Sequence, residues 1–351
     1  MQIRSIFQYK LLNNQLKEPT KLLFPRAIFL RFILNVCLLL CFNNNMAQSF
    51  LLKECNEFGA NPGNLRMFSF DGRNQNDTGK HPLVMVLHGC TQQAEDIARI
   101  TGWNKLAQLH GFVVVYPQQR FMNNPSNCFN WFNKKDIERN GGECQSIASM
   151  LDFAIQNLNV DSEKVYITGV SAGAGLALAM AASYPEKFNA VATIAGVPYH
   201  LATGLSNALS VMRGKFKLDA IDWLSATKKQ HPAFVGSYPL LICFQGEDDP
   251  IVHPNNLNLL VQQWCALQNI DTIPDQIHQN YKGISSITQH VFVDSAGGEK
   301  VIAYLIKNLG HKILVHPGQK PEEGGAIELF SIDIGFHANY EVARLFKLIK
   351  K

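Results

Sequence analysis

Short apolar runs recur along the chain, separated by stretches with helical patterning. Residues 83–87 (LVMVL), 112–116 (FVVVY, closed by Pro117), 164–168 (KVYIT), 190–195, 240–244 (LLICF) and 301–306 read as strands buried on both faces. Residues 94–109 predict a helix ending before Gly111. Residues 143–158 predict a second, with Ile147, Met150, Leu151, Ala154, Ile155 and Leu158 on one face. An Ala-rich helix is expected over 172–183, stopped by Pro185, and a last one over 338–349. Strands alternating with helices predict an α/β fold, a mostly parallel central sheet with helices on both faces. Two stretches break the rhythm, 197–238 and 271–298. Long connections of this kind over the carboxyl ends of strands shape binding sites, so a cap-like insertion is expected.

The N-terminal region differs from the rest. Arg26 and Arg31 precede an apolar run from Phe32 to Phe42, broken by Asn35, and Asn43–Asn45 then lead to Met46-Ala47-Gln48. Basic flank, short apolar run and small residue predict a secretory signal over 1–47. The run is short for a bilayer span, so stable membrane insertion is not expected once the signal is removed. Residues 48–351 are expected to form one catalytic-sized domain in a secreted protein, extracellular or periplasmic.

Removing the leader changes the charge. The chain has 32 Lys/Arg and 28 Asp/Glu; six and one of these lie in 1–47, leaving 26 against 27, a net of −1. A body without a basic run gives a nucleic-acid partner no electrostatic support. Cys37 and Cys41 fall in the leader. Cys55, Cys90, Cys128, Cys144, Cys243 and Cys265 remain, an even number that permits disulfides in an exported chain without fixing their pairing. Cys243 lies inside an apolar strand and suits simple packing. Neither CxxC nor HExxH occurs, so no metal and no other cofactor is expected.

Candidate chemistry centres on Gly169-Val170-Ser171-Ala172-Gly173. A G-x-S-x-G pentapeptide arises by chance roughly once in ten chains of this length. Here it joins the strand KVYIT to an Ala-rich helix, the setting a nucleophile elbow requires, and so predicts an α/β-hydrolase fold with Ser171 as nucleophile. In that fold an acid and then a histidine follow on later loops. Asp249, in the turn after LLICF, is the expected acid, with Asp248 beside it as the alternative. Asn308-Leu309-Gly310-His311 leaves the last strand directly and makes His311 the expected base; His316 suits a surface loop and His337 the start of the final helix. The oxyanion needs two fixed donors. The Ala172 amide is one, and the loop His88-Gly89-Cys90-Thr91-Gln92 after LVMVL should supply the other.

Taken together, these segments resemble the polyhydroxybutyrate-depolymerase-like esterases, a family that overlaps feruloyl and acetylxylan esterases. The resemblance runs through LHGCTQQAEDIARITGWNKLAQLHGFVVVYPQQ, NPSNCFNWF, GGECQSIASML, VYITGVSAGAGLALAMAASYPEKFNAVATIAGVPY and QGEDDPIVHPNN, over about 65 to 350. It implies Ser171, Asp249 and His311 as triad, the Cys90 and Ala172 amides as oxyanion donors, and Trp131 as a substrate-binding residue lining the cleft. The partner it implies is a small-molecule or oligomeric ester. Two departures stand out. The sequence ends after its last predicted helix, where depolymerases of solid polyester carry a linker and polymer-binding domain, which favours soluble oligoesters. Bulky Lys312-Ile313-Leu314 follow His311 where the family has smaller residues, which would narrow the mouth of the site. A feruloyl or acetylxylan esterase is the alternative expectation, and a catalytically silent binding module the non-enzymatic one.

Overall fold

The computed structural model describes residues 51–74, 76–215 and 223–349. The predicted leader, with Cys37 and Cys41, lies outside the described residues. Strands β1 (Lys53–Cys55), β2 (Arg66–Asp71) and β3 (His81–Leu87) are followed by helices α1 (Ala94–Thr101) and α2 (Trp103–His110). Then come β4 (Val113–Gln118), α3 (Lys134–Ile137), α4 (Gly142–Asn157), β5 (Val160–Val170), α5 (Ala172–Ser183) and β6 (Ala190–Ile194). The second half runs α6 (Leu205–Met212), α7 (Trp223–Lys228), β7 (Leu240–Gly246), α8 (Asn255–Gln268), β8 (Gln276–His278), β9 (Ile287–Val293), β10 (Glu299–Ile306), β11 (Ile313–Val315), β12 (Ser331–Asp333) and α9 (Ala338–Leu345).

Ten of these strands form one sheet in the order β1-β2-β4-β3-β5-β6-β7-β10-β9-β8. The six from β4 to β10 are parallel, and the antiparallel pairs lie at the two edges. Continuous burial along β3, β4 and β6 is what a sheet covered on both faces demands. Helix α5 is buried at all twelve positions, and its run of Ala and Gly lets it lie close against the central strands.

The predicted strands and helices recur with informative shifts. The single helix expected over 94–109 is two, divided at Gly102, whose φ of 72° no β-carbon tolerates well. A side chain there would also meet the Gly325 amide nitrogen at 2.6 Å, so the break seats a C-terminal loop against the α1–α2 turn. Strand β4 continues through Pro117, where the sequence suggested it would stop. Its ladder to β3 ends at Val115, leaving Pro117 opposite only Met67 of β2, so no inward hydrogen bond is lost. Of the two irregular stretches, 271–298 carries the antiparallel β8–β9 edge and contributes no residue to the cavity described below. The other contributes α6 and α7; its residues 216–222 lie outside the described ones.

The C-terminal helix is tied down by a buried carboxylate. Glu341, 1% exposed at its side chain, accepts from Arg344, Lys282 (2.5 Å), Tyr281 (2.7 Å) and Tyr304 (3.0 Å). Burial alone would push its carboxyl up. The hydrogen bonds from Arg344, Lys282 and Tyr281 outweigh that and hold it down at about 2. A carboxyl held below its unfolded value stabilises the fold above that value, and the contribution fades as pH falls toward 2. Glu341→Gln is therefore expected to cost about 3 kcal/mol at neutral pH. In urea titrations the gap from wild type should shrink steadily below about pH 4.5; a gap independent of pH would show that the carboxylate's charge is not what matters.

Candidate active site

Ser171 sits on the turn between β5 and α5 with φ 55° and ψ −118°, a strained conformation for a residue with a side chain. Its neighbours explain how the turn closes. A β-carbon on Gly169 would collide with the Gly173 carbonyl, and one on Gly173 with the carbonyls of Leu87 and His88. The Ser171 amide donates to the Ile194 carbonyl of β6 at 2.9 Å, and its own carbonyl accepts from Gly175 at 3.1 Å. Those bonds fix the half-buried serine at the head of α5. The amides of Ala172, Gly173 and Ala174 then have no helical acceptor, as at any helix N-terminus.

Asp249 and His311 meet across 62 residues. His311 Nδ1 lies 2.7 Å from Asp249 Oδ2. The other carboxylate oxygen accepts from the amides of Ile251 and Val252, both at 2.8 Å, and Gln245 Nε2 approaches Oδ2 at 3.3 Å. The bond falls to Asp249 and not to its exposed neighbour Asp248, whose amide is spent on the Leu309 carbonyl. Burial pushes the Asp249 carboxyl up, but the hydrogen bond and charge of His311 and the two amides outweigh it, leaving it below the ordinary carboxylate value. It stays ionised and able to hold the Nδ1 proton of the imidazole.

Ser171 and His311 line one cavity of about 160 Å³. Gly89, Cys90, Thr91 and Gln92 form one side; Val170, Ile194, Met212, Ile251, Ile313 and Phe330 supply apolar walls. Met212 is the last residue of α6, so the 197–238 insertion does reach the site. Lys312 and Ile313 also line it, while Leu314 turns into the core.

The loop after β3 comes close to the serine: a β-carbon on Gly89 would lie 3.7 Å from Ser171 Cβ. Its amides are largely occupied. Gly89 N–H donates to Gln92 Oε1 (2.8 Å), Thr91 to the Ser126 carbonyl (2.7 Å) and Gln92 to the Gly89 carbonyl (3.4 Å). Among the described residues the Cys90 amide has no such acceptor. Cys90 is disulfide-bonded to Cys128, which anchors this loop to the one carrying Trp131.

Sequence reasoning did not reach the buried support of that loop. His88, fully buried and pushed down to about 4 by burial, accepts from the Gln119 amide at Nε2 (3.1 Å), so Nδ1 carries the proton and donates to the Gly89 carbonyl (2.7 Å). Gln119 Nε2 bridges the Cys128 carbonyl and buried Glu143, and Glu143 Oε2 accepts from the Asn130 amide (2.8 Å). These residues lie in HGC, PQQ and GGEC, motifs visible in sequence whose convergence only the fold reveals.

Trp131 is placed differently from the expectation. It is 8% exposed, stacks edge-on with Phe132 and packs on α5, where a β-carbon on Gly175 would touch it at 2.9 Å. The cavity wall is made by other residues, and Trp131 stands behind it in a cluster with Ala172, Val197 and Leu201, because the small residues of α5 leave room for an indole. His316 bonds Asp333 and His337 precedes α9, so neither reaches the cavity. Cys243 is free and buried within β7, as its apolar setting suggested. No cluster of metal-ligating side chains occurs among the described residues, and no helix there is long and apolar enough to cross a membrane.

Sheet order and elbow are those of the α/β-hydrolase fold, and the relatives of the chain make it a carboxylic-ester hydrolase. The chain belongs to the esterase PHB depolymerase family, whose model matches residues 75–276. It is 34% identical over 300 residues to a poly(3-hydroxyalkanoate) depolymerase C of Paucimonas lemoignei, covering 86% of this chain and 71% of that protein. A feruloyl esterase B of Talaromyces funiculosus is 27% identical over 267 residues, covering 74% of this chain and 72% of its own length. The fold matches that of an acetyl xylan esterase from Aspergillus awamori with a TM-score of 0.71, at 22% identity, over 85% of this chain and all of that one.

Proposed function

We propose that the protein is an exported serine esterase that cleaves short polyester oligomers or small acyl esters through a Ser171–His311–Asp249 relay. The observation that carries this reading is the 2.7 Å bond from His311 to buried Asp249 at a cavity that Ser171 also lines. With Nδ1 held protonated, His311 Nε2 is free to accept the Ser171 hydroxyl proton as Oγ bonds to the ester carbonyl carbon. Charge then gathers on the carbonyl oxygen, for which the Cys90 and Ala172 amides, neither spent on another acceptor among the described residues, are the proposed donors. Collapse breaks the carbon–oxygen bond to the alcohol, which leaves with the proton from His311. Water, deprotonated by the same histidine, adds to the acyl-enzyme; the acid departs and Ser171 recovers its proton. No metal or organic cofactor enters these steps.

Apolar walls favour an alkyl acyl group, and the small cavity favours oligomers over a packed polymer chain. Export is supported by the N-terminal pattern and by the Cys90–Cys128 disulfide, a bond that persists in oxidising compartments. Trp131 is assigned to supporting the cavity from behind.

The test is a substrate panel with protein lacking residues 1–47: soluble 3-hydroxybutyrate oligomers, methyl ferulate and acetylated xylan. The oligomers are expected to give the highest kcat/KM, by at least about tenfold, the discrimination a fitted apolar pocket provides. A preference for ferulate or acetylated xylan would move the protein to cell-wall ester cleavage.

A further inference from the structure

Among the described residues, one lysine lines the cavity and takes no part in the relay above. Lys312 follows His311 directly, and both line the cavity. Its Nζ donates to the Leu329 carbonyl at 3.0 Å, one residue before Phe330, which lines the same cavity. That contact directs the half-buried side chain along the cavity rim. An ammonium has three donors; one is used, and among the described residues none of the ion pairs involves Lys312. Among the described residues, His311 is the one other ionisable side chain that lines the cavity. Among the described residues no carboxylate pairs with this ammonium at the edge of an apolar chamber, which leaves it open to an anion brought by a ligand.

The reaction says where that anion would sit. His311 returns its proton to the departing alcohol, so the leaving group lies beside His311, and Lys312 is the next residue in the same cavity lining. We propose that Lys312 is a specificity-determining residue that pairs with a carboxylate carried by the leaving alcohol. This inference rests on the esterase reading above and narrows it. The preferred substrate class is then an ester formed on the hydroxyl of a hydroxy acid whose own carboxylate is free, the acid end of a short hydroxyalkanoate oligomer. Ser171 Oγ bonds to the acyl carbon of the last ester linkage, the bond to the terminal hydroxy acid breaks, and that unit leaves with the His311 proton and its carboxylate still ionised. Water releases the shortened acyl chain, which ends in a new free carboxylate and can bind again. A uronic acid esterified on a hydroxyl shares the same anionic leaving group, so it enters the test as a separate arm.

The experiment compares kcat/KM for the free-acid dimer of 3-hydroxybutyrate with that for its carboxamide, which is neutral and of the same shape. Wild type is expected to prefer the acid by about tenfold, as one charge-assisted pair provides, with the preference weakening as salt is raised. Lys312→Met should bring the ratio near one, and Lys312→Glu below one. A wild-type ratio at or below one, or a ratio that Lys312→Met leaves unchanged, overturns the proposal. Because the wild-type ratio and its salt dependence need no variant, misfolding of either substitution leaves the test standing. Acetylated galacturonic acid against its methyl ester distinguishes the sources: a larger acid preference in that pair than in the dimer pair would replace the hydroxyalkanoate assignment. Loss of the underlying esterase reading shows separately, as p-nitrophenyl butyrate turnover no faster than that of Ser171→Ala.

Discussion

Ser171→Ala is expected to lower kcat on p-nitrophenyl butyrate by about 10⁵- to 10⁶-fold, the scale on which a lone nucleophile is lost from a working relay. The substitution removes one oxygen and nothing else. Alanine keeps a β-carbon at φ 55°, so the turn bears no more strain than it does with serine, and the bonds that fix it, from the Ser171 amide to Ile194 and from Gly175 to the Ser171 carbonyl, involve backbone only. Walls made by Met212, Ile251 and Phe330 are untouched, so substrate should still bind. The relevant measurements are single-turnover rates and labelling by a fluorophosphonate. Wild type should gain one phosphonyl adduct, mapped to the peptide carrying Ser171, and the variant none. Residual turnover of about 10³–10⁴ over water is expected to persist, since the proposed oxyanion donors remain. A variant within tenfold of wild type would remove Ser171 from the chemistry and revive the idea of a silent binding module.

How much of this was legible beforehand depends on whether the signal was local. Elbow, sheet and helix order follow from contiguous runs, and the bounds 172–183 for α5 were readable from an Ala-rich block stopped by Pro185. Asp248 and Asp249 are adjacent in the turn after LLICF and hard to separate in sequence; in the fold, two amides and His311 converge on the Asp249 carboxylate. The β8–β9 edge was missed because ITQHVFV alternates imperfectly: burial alternates through Ile287, Gln289 and Val291 and then breaks, with Phe292 buried beside Val291 at an antiparallel edge. Helix α8 also escaped notice, its buried positions including Asn256 and Gln263, polar residues that blur an apolar stripe. Trp131 was assigned to the cleft from a motif, whereas its depth depends on the glycine at position 175, forty-four residues away. The support running Glu143–Gln119–His88 to the Gly89 carbonyl was beyond reach for the same reason. Each partner looks ordinary in sequence, and only the sheet brings them together.

Asp249→Asn should cost about 10⁴ in kcat at neutral pH while leaving KM nearly unchanged. Which atom of residue 249 faces which donor decides the loss. Ile251 and Val252 both donate to Oδ1, so asparagine must present its carbonyl oxygen there. Its NH₂ then occupies the place of Oδ2, facing Nδ1 of His311 and Nε2 of Gln245. A donor opposite Nδ1 forces the proton onto Nε2. In that tautomer His311 carries a hydrogen on Nε2, the nitrogen that the proposed relay uses as a lone pair, and proton abstraction is expected to fail although the fold is unchanged. The imidazolium formed in the reaction also loses the carboxylate that His311 and the two amides hold ionised. Asp248→Asn is the matched control: its side chain is exposed and only its backbone amide is engaged, so kcat should stay within about twofold, as for an ordinary surface substitution. Steady-state kinetics on one neutral ester, with near-equal melting temperatures to show that both variants fold, decide between them. Comparable losses at 248 and 249 would mean that the acidic turn acts through its overall charge; loss at 249 alone assigns the effect to a single hydrogen bond and the tautomer it enforces.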